Sequence, residues 1–319
     1  MSTDQIAYPD IDAVLGDRAG RFFGEGYKRI QHEIFDITVE ARAQGPKLSA
    51  VAGVRYPLDW SQKSTRVLTP HLSSIDCSIF GFRLLAVILR ECGVSDADIG
   101  RCWMPYVQFS SGTVATENLD RFPIEATVTG STETTLTISG SFGSTMELEA
   151  VVALPTPPRL PAPGPARPVA EPAGGYSRGP VYRRGQYLRD IRLDSDGTGA
   201  SAQFALAPVD SDSVGTGVAD SYQPSITLVD ATVILAQLSQ VVLYELDNIA
   251  RKDSETLWMR RMTARADAPP PPYTPGSATT RMARSMVLGF GGGKWRISNW
   301  EAEFAGCSIR YDLAHQLPA

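Results

Sequence analysis

Apolar residues crowd two stretches of this chain, Ile75–Leu89 and Val229–Leu243, and alternate with polar residues through much of the rest. Within Ile75–Leu89 the main interruptions are Asp76, Ser78 and Arg83. A helix that is apolar nearly all round is buried on every side, so both stretches are expected as core helices. The alternation in Ile124–Gly130 (IEATVTG) and Thr134–Gly140 (TTLTISG) suits half-buried antiparallel strands. The segments WMPYVQFSS, FPIEATVTGS, TETTLTISGSFG and MELEAVVAL read as β-rich after the first helix. After the second, LWMRRMTARAD, RSMVLGFGGG, KWRISNWEAEF and CSIRYDL read the same way. Strand-like residues also precede each helix, in YKRIQHEIFDITVEA and QYLRDIRLDSDGTGASAQFAL.

The same element order therefore occurs twice, and the residues repeat with it. At an offset of 154, Pro70 meets Pro224, Ile75 meets Val229 and Asp76 meets Asp230. At an offset of 155, Trp103-Met104 meets Trp258-Met259. This ordered set of matches points to duplication of one unit. One long helix wrapped by an antiparallel sheet is the hotdog arrangement. The expected fold is α+β, a double hotdog with active sites at the seam between its units.

The Pro-rich stretch Pro155–Gly175 divides the chain, and with it the expected organisation is a first unit at 1–154, a linker at 155–180 and a second unit at 181–319. A second Pro-rich loop, Ala268–Gly276, is expected to be a solvated spacer.

Composition narrows the function. The 319 residues carry a net charge of −5, which argues against nucleic acid as a partner. Cys77, Cys92, Cys102 and Cys307 show no metal-binding spacing, so reduced thiols, no metal and no cofactor are expected. The N-terminus lacks the basic region and apolar core of a signal peptide, and the apolar runs read as too short to span a membrane. A cytoplasmic protein is expected.

Heptad spacing returns residues to one helical face with about 20° of drift. Asp76, Arg83 and Arg90 form such a stripe on the first helix, and Asp230, Gln237 and Tyr244 form its counterpart on the second. Charges in a core need partners, so these residues either pair structurally or line a cavity. His71, five residues before Asp76, is a candidate general base or a helix-capping loop residue. Its counterpart is Ser225, so the two halves differ. Ser73–Ile75 and Thr227–Val229 offer amides for a developing oxyanion, or Ser73 and Thr227 serve simply as N-caps. Arg251, Lys252, Arg260 and Arg261 surround Trp258, as a phosphate-binding cluster or a solvated basic face. GFGGGK (Gly289–Lys294) lacks phosphate-loop spacing and is expected to be a hairpin turn.

The block VDATVILAQLSQVVLYELDNIARKDSETLWMRR, together with PHLSSIDCS and KWRISNWEAEFAG, resembles the avirulence D (AvrD) proteins. More distantly, the paired repeats are similar to those of the A-factor synthases. The AvrD resemblance implies a synthase joining a β-ketoacyl thioester, on coenzyme A or an acyl-carrier protein, to a small ketose or dihydroxyacetone phosphate, giving syringolide- or butenolide-type metabolites. The resemblance assigns no residue roles; read from the heptad stripes and their surroundings, Asp76, Asp230 and His71 are the expected catalytic residues and Arg83, Gln237, Tyr244, Trp258 and Arg260 the expected substrate-binding ones, and a homodimer is compatible with this. The alternatives are a hotdog thioesterase or dehydratase and a non-catalytic acyl-ligand-binding protein. His71 and Asp76 resemble the HPxxxD segment of polyketide dehydratases, but Leu72 and Phe80 depart from that pattern and its HxxxGxxxxP motif is absent.

Overall fold

The computed structural model describes residues 6–63, 68–171, 180–208, 217–255 and 257–318. Two core helices dominate it, α2 (Ser74–Glu91) and α5 (Leu228–Asp247), beside the short α1 (Ile11–Leu15), α3 (Asp96–Arg101) and α4 (Pro180–Arg183). Both begin with the same device, a capping box. Ser73 and Thr227 accept from the amides of Asp76 and Asp230, and each Asp accepts in return from the amide of its cap. The helix starts seen in the sequence are therefore caps, as one of the two readings held. By length and composition α5 would suffice to cross a membrane, contrary to the shorter span expected, but 83% of that window is buried inside the protein.

All described strands join one antiparallel sheet. The first half contributes β2 (Gln31–Arg42), β3 (Gly45–Arg55), β4 (Trp103–Ser111), β5 (Phe122–Ser131), β6 (Thr135–Phe142) and β7 (Met146–Ala153). The second contributes β9 (Gly185–Leu193), β10 (Gly199–Ala207), β11 (Leu257–Ala266), β12 (Gly276–Phe290), β13 (Gly293–Phe304) and β14 (Cys307–Leu317). From the centre outward the first half runs β4-β7-β6-β5-β3-β2 and the second runs β11-β14-β13-β12-β10-β9, the same order. The fold is a double hotdog, with α2 packed on the first half of the sheet and α5 on the second.

The halves meet at β4 and β11, where Gln108 pairs with Thr263, its own repeat counterpart. Val107 faces Ala264 and Phe109 faces Met262 on either side, which is the reciprocity of a two-fold contact. One continuous apolar core runs through both halves.

Three expectations need correction. The stretch after β7 is more than a spacer: β8 (Gly164–Pro168) pairs with β2, and Glu171 holds Arg83. Its last residues, 172–175, lie outside the described residues. The N-terminal strand β1 (Ala7–Asp10) pairs with β9 of the second half, so the units exchange an edge. The loop Ala268–Gly276 is also packed, because the Tyr273 amide donates to Pro224 O at 2.8 Å and Pro272 bridges Ser225. GFGGGK is a hairpin turn, as expected. Gly291 and Gly292 take φ of +60° and +79° between β12 and β13, the left-handed pair a tight two-residue turn requires.

Candidate functional site

Asp76 lies wholly enclosed at the start of α2. Its Oδ1 is 2.7 Å from His32 Nε2. Its Oδ2 accepts from the Tyr56 hydroxyl at 2.6 Å, the Ser73 hydroxyl at 2.7 Å and the Ser73 amide at 2.8 Å. Burial alone would raise this carboxyl, but the bonds and charge from His32, with Tyr56 and Ser73, hold it below the usual range. With its acceptor positions filled, this carboxylate orients its neighbours and does not reach open space. Burial, then the adjacent Asp76, pushes the Tyr56 hydroxyl well above its ordinary value.

Asp230 repeats the pattern with different chemistry. Gln186, the repeat counterpart of His32, donates from Nε2 to Asp230 Oδ1 at 2.8 Å. The Arg184 guanidinium lies 3.5 Å from Oδ2 and donates to Ser225 O and Gln223 Oε1 at 2.6 and 2.7 Å. The halves also exchange tyrosines. Tyr182, from the short helix α4 (Pro180–Arg183) that leads into the second unit, places its hydroxyl 2.8 Å from His32 Nδ1. Tyr27 of the first unit accepts from Gln186 at 2.9 Å.

The remaining stripe residues have partners. Arg83 clamps Glu171 at 2.5 Å and donates to His32 O at 3.0 Å. Arg90 pairs with Asp96. Gln237 donates to Val233 O within α5, and the Tyr244 hydroxyl meets Ser254 Oγ at 2.9 Å. None of Asp76, Asp230, Arg83, Gln237 or Tyr244 lines the cleft in which His71 lies.

That cleft, about 120 Å³, lies at the N-terminus of α2 and takes walls from both units. His71 and Trp258 meet in it with ring centroids 4.6 Å apart and planes 24° off parallel. His71 Nδ1 is 3.2 Å from Thr69 O. A protonated Nδ1 donates there, which leaves the Nε2 lone pair free to accept. Ser73 and Ser74 also line the cleft, and the amides of Ser74 and Ile75 have no partner among the described residues, as at any helix start. The lining contains three cations, Arg21, Lys63 and Arg251, and no carboxylate among the described residues. Arg21 pairs with Asp12 at its rear, Lys63 donates to Ser254 Oγ and Glu255 O, and Arg251 donates to Gly20 O and Gln62 O. Arg260 stands aside and donates to Gly112 O.

The matching approach to α5 is shut. Ser225 is 1% exposed, with its carbonyl held by Arg184 and its amide donating to Gln223 Oε1 at 3.1 Å. The loop carrying Pro272 and Tyr273 lies across it.

Of the predicted site residues, the structure brings His71, Trp258, Arg251 and the helix start Ser73–Ser74 to the cleft and leaves Asp76, Asp230, Arg83, Gln237, Tyr244 and Arg260 outside it. It adds Tyr56, Arg21 and Lys63 at the cleft and His32 behind it. His32 carries one sequence signal: the repeat offset of 154 sets it opposite the polar Gln186.

The sequence profile of the family described as Pseudomonas avirulence D protein (AvrD) matches residues 6–318. No curated protein matches the chain. Solved structures that it is similar to include an acyl-ACP thioesterase from Bacteroides thetaiotaomicron, with 9% identity, TM-score 0.42 and coverage of 91% of this chain and 99% of that one. A tesB protein of Mycobacterium avium subsp. paratuberculosis has 9% identity and TM-score 0.43, covering 88% and 96%. A variant of the PpsC dehydratase domain from Mycobacterium tuberculosis has 10% identity and TM-score 0.38, covering 88% and 97%.

Proposed function

The chain belongs to the AvrD family, and we propose on that basis that it is a synthase condensing a β-ketoacyl thioester with a small ketose or ketose phosphate. The observation that carries this reading is the composite cleft, where among the described residues the His71 ring, the unpartnered Ser74 amide at the start of α2 and three cations converge.

His71 Nε2 takes the proton from a ketose hydroxyl, and that oxygen attacks the thioester carbon. The developing oxyanion faces the Ser74 and Ile75 amides, where the helix dipole favours negative charge. Collapse breaks the carbon–sulfur bond, and the departing thiolate takes the proton from His71. The product is a β-ketoacyl ester of the ketose. Its methylene, acidified by two flanking carbonyls, loses a proton to the same nitrogen, and the carbanion adds to the ketose carbonyl, which closes the lactone ring. The alkoxide formed takes that proton back from His71, and loss of its hydroxyl with the remaining methylene hydrogen as water leaves the unsaturated lactone. Asp76 acts here as a positioning residue that ties the start of α2 to Tyr56 and His32. Arg21, Lys63 and Arg251 suit a phosphate on the ketose or on the thioester carrier.

Mass spectrometry of incubations with a 3-oxoacyl thioester and each ketose tests this. Thiol release with a ketose-dependent adduct, lighter than the summed reactants by the thiol and then by water, is expected. Thiol release yielding only the free acid would replace the synthase with a thioesterase.

A further inference from the structure

A second cavity leads on from the cleft. The two share Phe23, Ser74, Leu257 and Met259. Beyond these, the second cavity passes beneath α5, between Thr232, Leu235 and Ala236 on the helix and Met262 and Tyr311 on β11 and β14. No charged residue lines it among the described residues. Ala236 is half-buried while its α5 neighbours Leu235 and Gln237 are buried, so the cavity accounts for space beside it. At the far end the Tyr311 hydroxyl is already engaged by Ser239 and Thr280.

The first unit holds a copy of this cavity beneath α2. Ser78, Gly81 and Phe82 line it where Thr232, Leu235 and Ala236 line the other, and Met104 and Val107 stand for Met259 and Met262. The heads differ. The cavity under α5 is headed by Ser74, the first residue of α2, at the open cleft. Its copy is headed by Leu228, the first residue of α5, beside the approach that Ser225 and Pro272 close. Duplication thus produced two apolar slots, and one of them continues from the open cleft.

We propose that the cavity beneath α5 receives the apolar tail of the acyl thioester, and that Ala236 sets how long a tail fits. This rests on the acyl-thioester reading above. The carbonyl end sits at the helix start of the first unit and the tail in the second unit, so neither half is complete without the other. The two methionines in the wall, Met259 and Met262, are flexible enough to part for the chain. Each methylene taken into the slot raises kcat/KM roughly threefold until the slot is full.

The test measures kcat/KM for thiol release across 3-oxoacyl coenzyme A thioesters of increasing length, with saturating dihydroxyacetone or dihydroxyacetone phosphate as acceptor, for the full chain and its Ala236→Phe and Ala236→Val variants. Gly81→Ala, in the copied cavity, is the control. The expected result is a shift of the Ala236→Phe optimum to shorter chains, with a loss of about tenfold or more for the longest and about twofold or less for the shortest. Ala236→Val shifts the optimum in the same direction by less, which keeps the test open should the larger side chain prevent folding. Gly81→Ala leaves the profile unchanged. An unaltered profile in folded Ala236 variants, or an equal loss at every length, overturns the tail site while the thioester reading stands. A native chain that releases thiol from no thioester overturns both.

Discussion

Trp258 of the second unit lies against His71 of the first, ring centroids 4.6 Å apart and 24° from parallel. The two side chains are separated by more than a whole repeat in sequence, and docking of the two halves, joined at β4 and β11, brings them together. This contact orients the one cleft-lining imidazole while its Nδ1 faces Thr69 O. His71→Gln is expected to lower kcat for thiol release by about 10²–10⁴-fold without moving the thermal midpoint. Trp258→Leu is expected to cost less, about tenfold in kcat/KM, because it removes the stacking that orients the ring and leaves the base in place. Steady-state kinetics beside a thermal melt separates the two, and a His71→Gln enzyme of native kcat removes His71 from the mechanism.

Asp76 gives the fold an acid sensitivity. Its folded pKa lies below the ordinary value despite complete burial, because of His32, Tyr56 and Ser73. The unfolded chain therefore binds the proton more readily. The stabilisation is fully present above about pH 3.9 and is lost as pH falls through the lower folded value. Asp76→Asn should cost about 3–5 kcal/mol at neutral pH, as for one partner removed from a buried pair, and should flatten the acid limb. Urea midpoints measured from pH 7 downward check both, and a variant keeping the native acid drop contradicts the assignment.

The closed approach to α5 predicts a separation of stability from activity. Arg184 is 2% exposed and holds Ser225, Gln223 and Asp230. Arg184→Met should destabilise the chain by about 3 kcal/mol, while kcat/KM per folded molecule stays within about twofold of native. Active-site titration alongside denaturation would reveal a second working site if activity fell with the substitution.

The cations of the cleft predict a charge preference. Among the described residues Arg251 is one of three cations on the cleft wall, and its own bonds go to the Gly20 and Gln62 carbonyls, not to a carboxylate. Arg251→Gln should raise KM for a phosphorylated ketose about tenfold, consistent with loss of one charge-assisted bond, and leave KM for the unphosphorylated sugar nearly unchanged. Equal effects on both sugars would place the phosphate elsewhere.

Much of this was legible in the sequence because it is local. The buried helices follow from apolar runs, their starts from Ser73-x-x-Asp76 and Thr227-x-x-Asp230, and the GFGGGK hairpin from its glycines. The duplication was legible because Asp76 and Asp230 kept the same structural task. What escaped is long-range. His32 reaches Asp76 through strand packing, and Tyr182 reaches His32 only after the two units dock. Nothing local marks β1 as an edge for the second unit or β8 as one for the first. The heptad stripes were real as surfaces, but each polar member found a partner from another part of the chain or from its own helix, as with Arg83 and Glu171 or Gln237 and Val233. A stripe on a buried helix therefore marked pairing, and the cleft formed beside the helix start instead.

The central claim is that one cleft, at the start of α2, does the chemistry. The most direct measurement is a crystal structure with a non-hydrolysable β-ketoacyl thioester analogue. The acyl carbonyl oxygen should lie within hydrogen-bond distance of the Ser74 and Ile75 amides, with the reacting carbon near His71 Nε2. An analogue bound instead at Thr227–Val229, or one bound away from both helix starts, would contradict it.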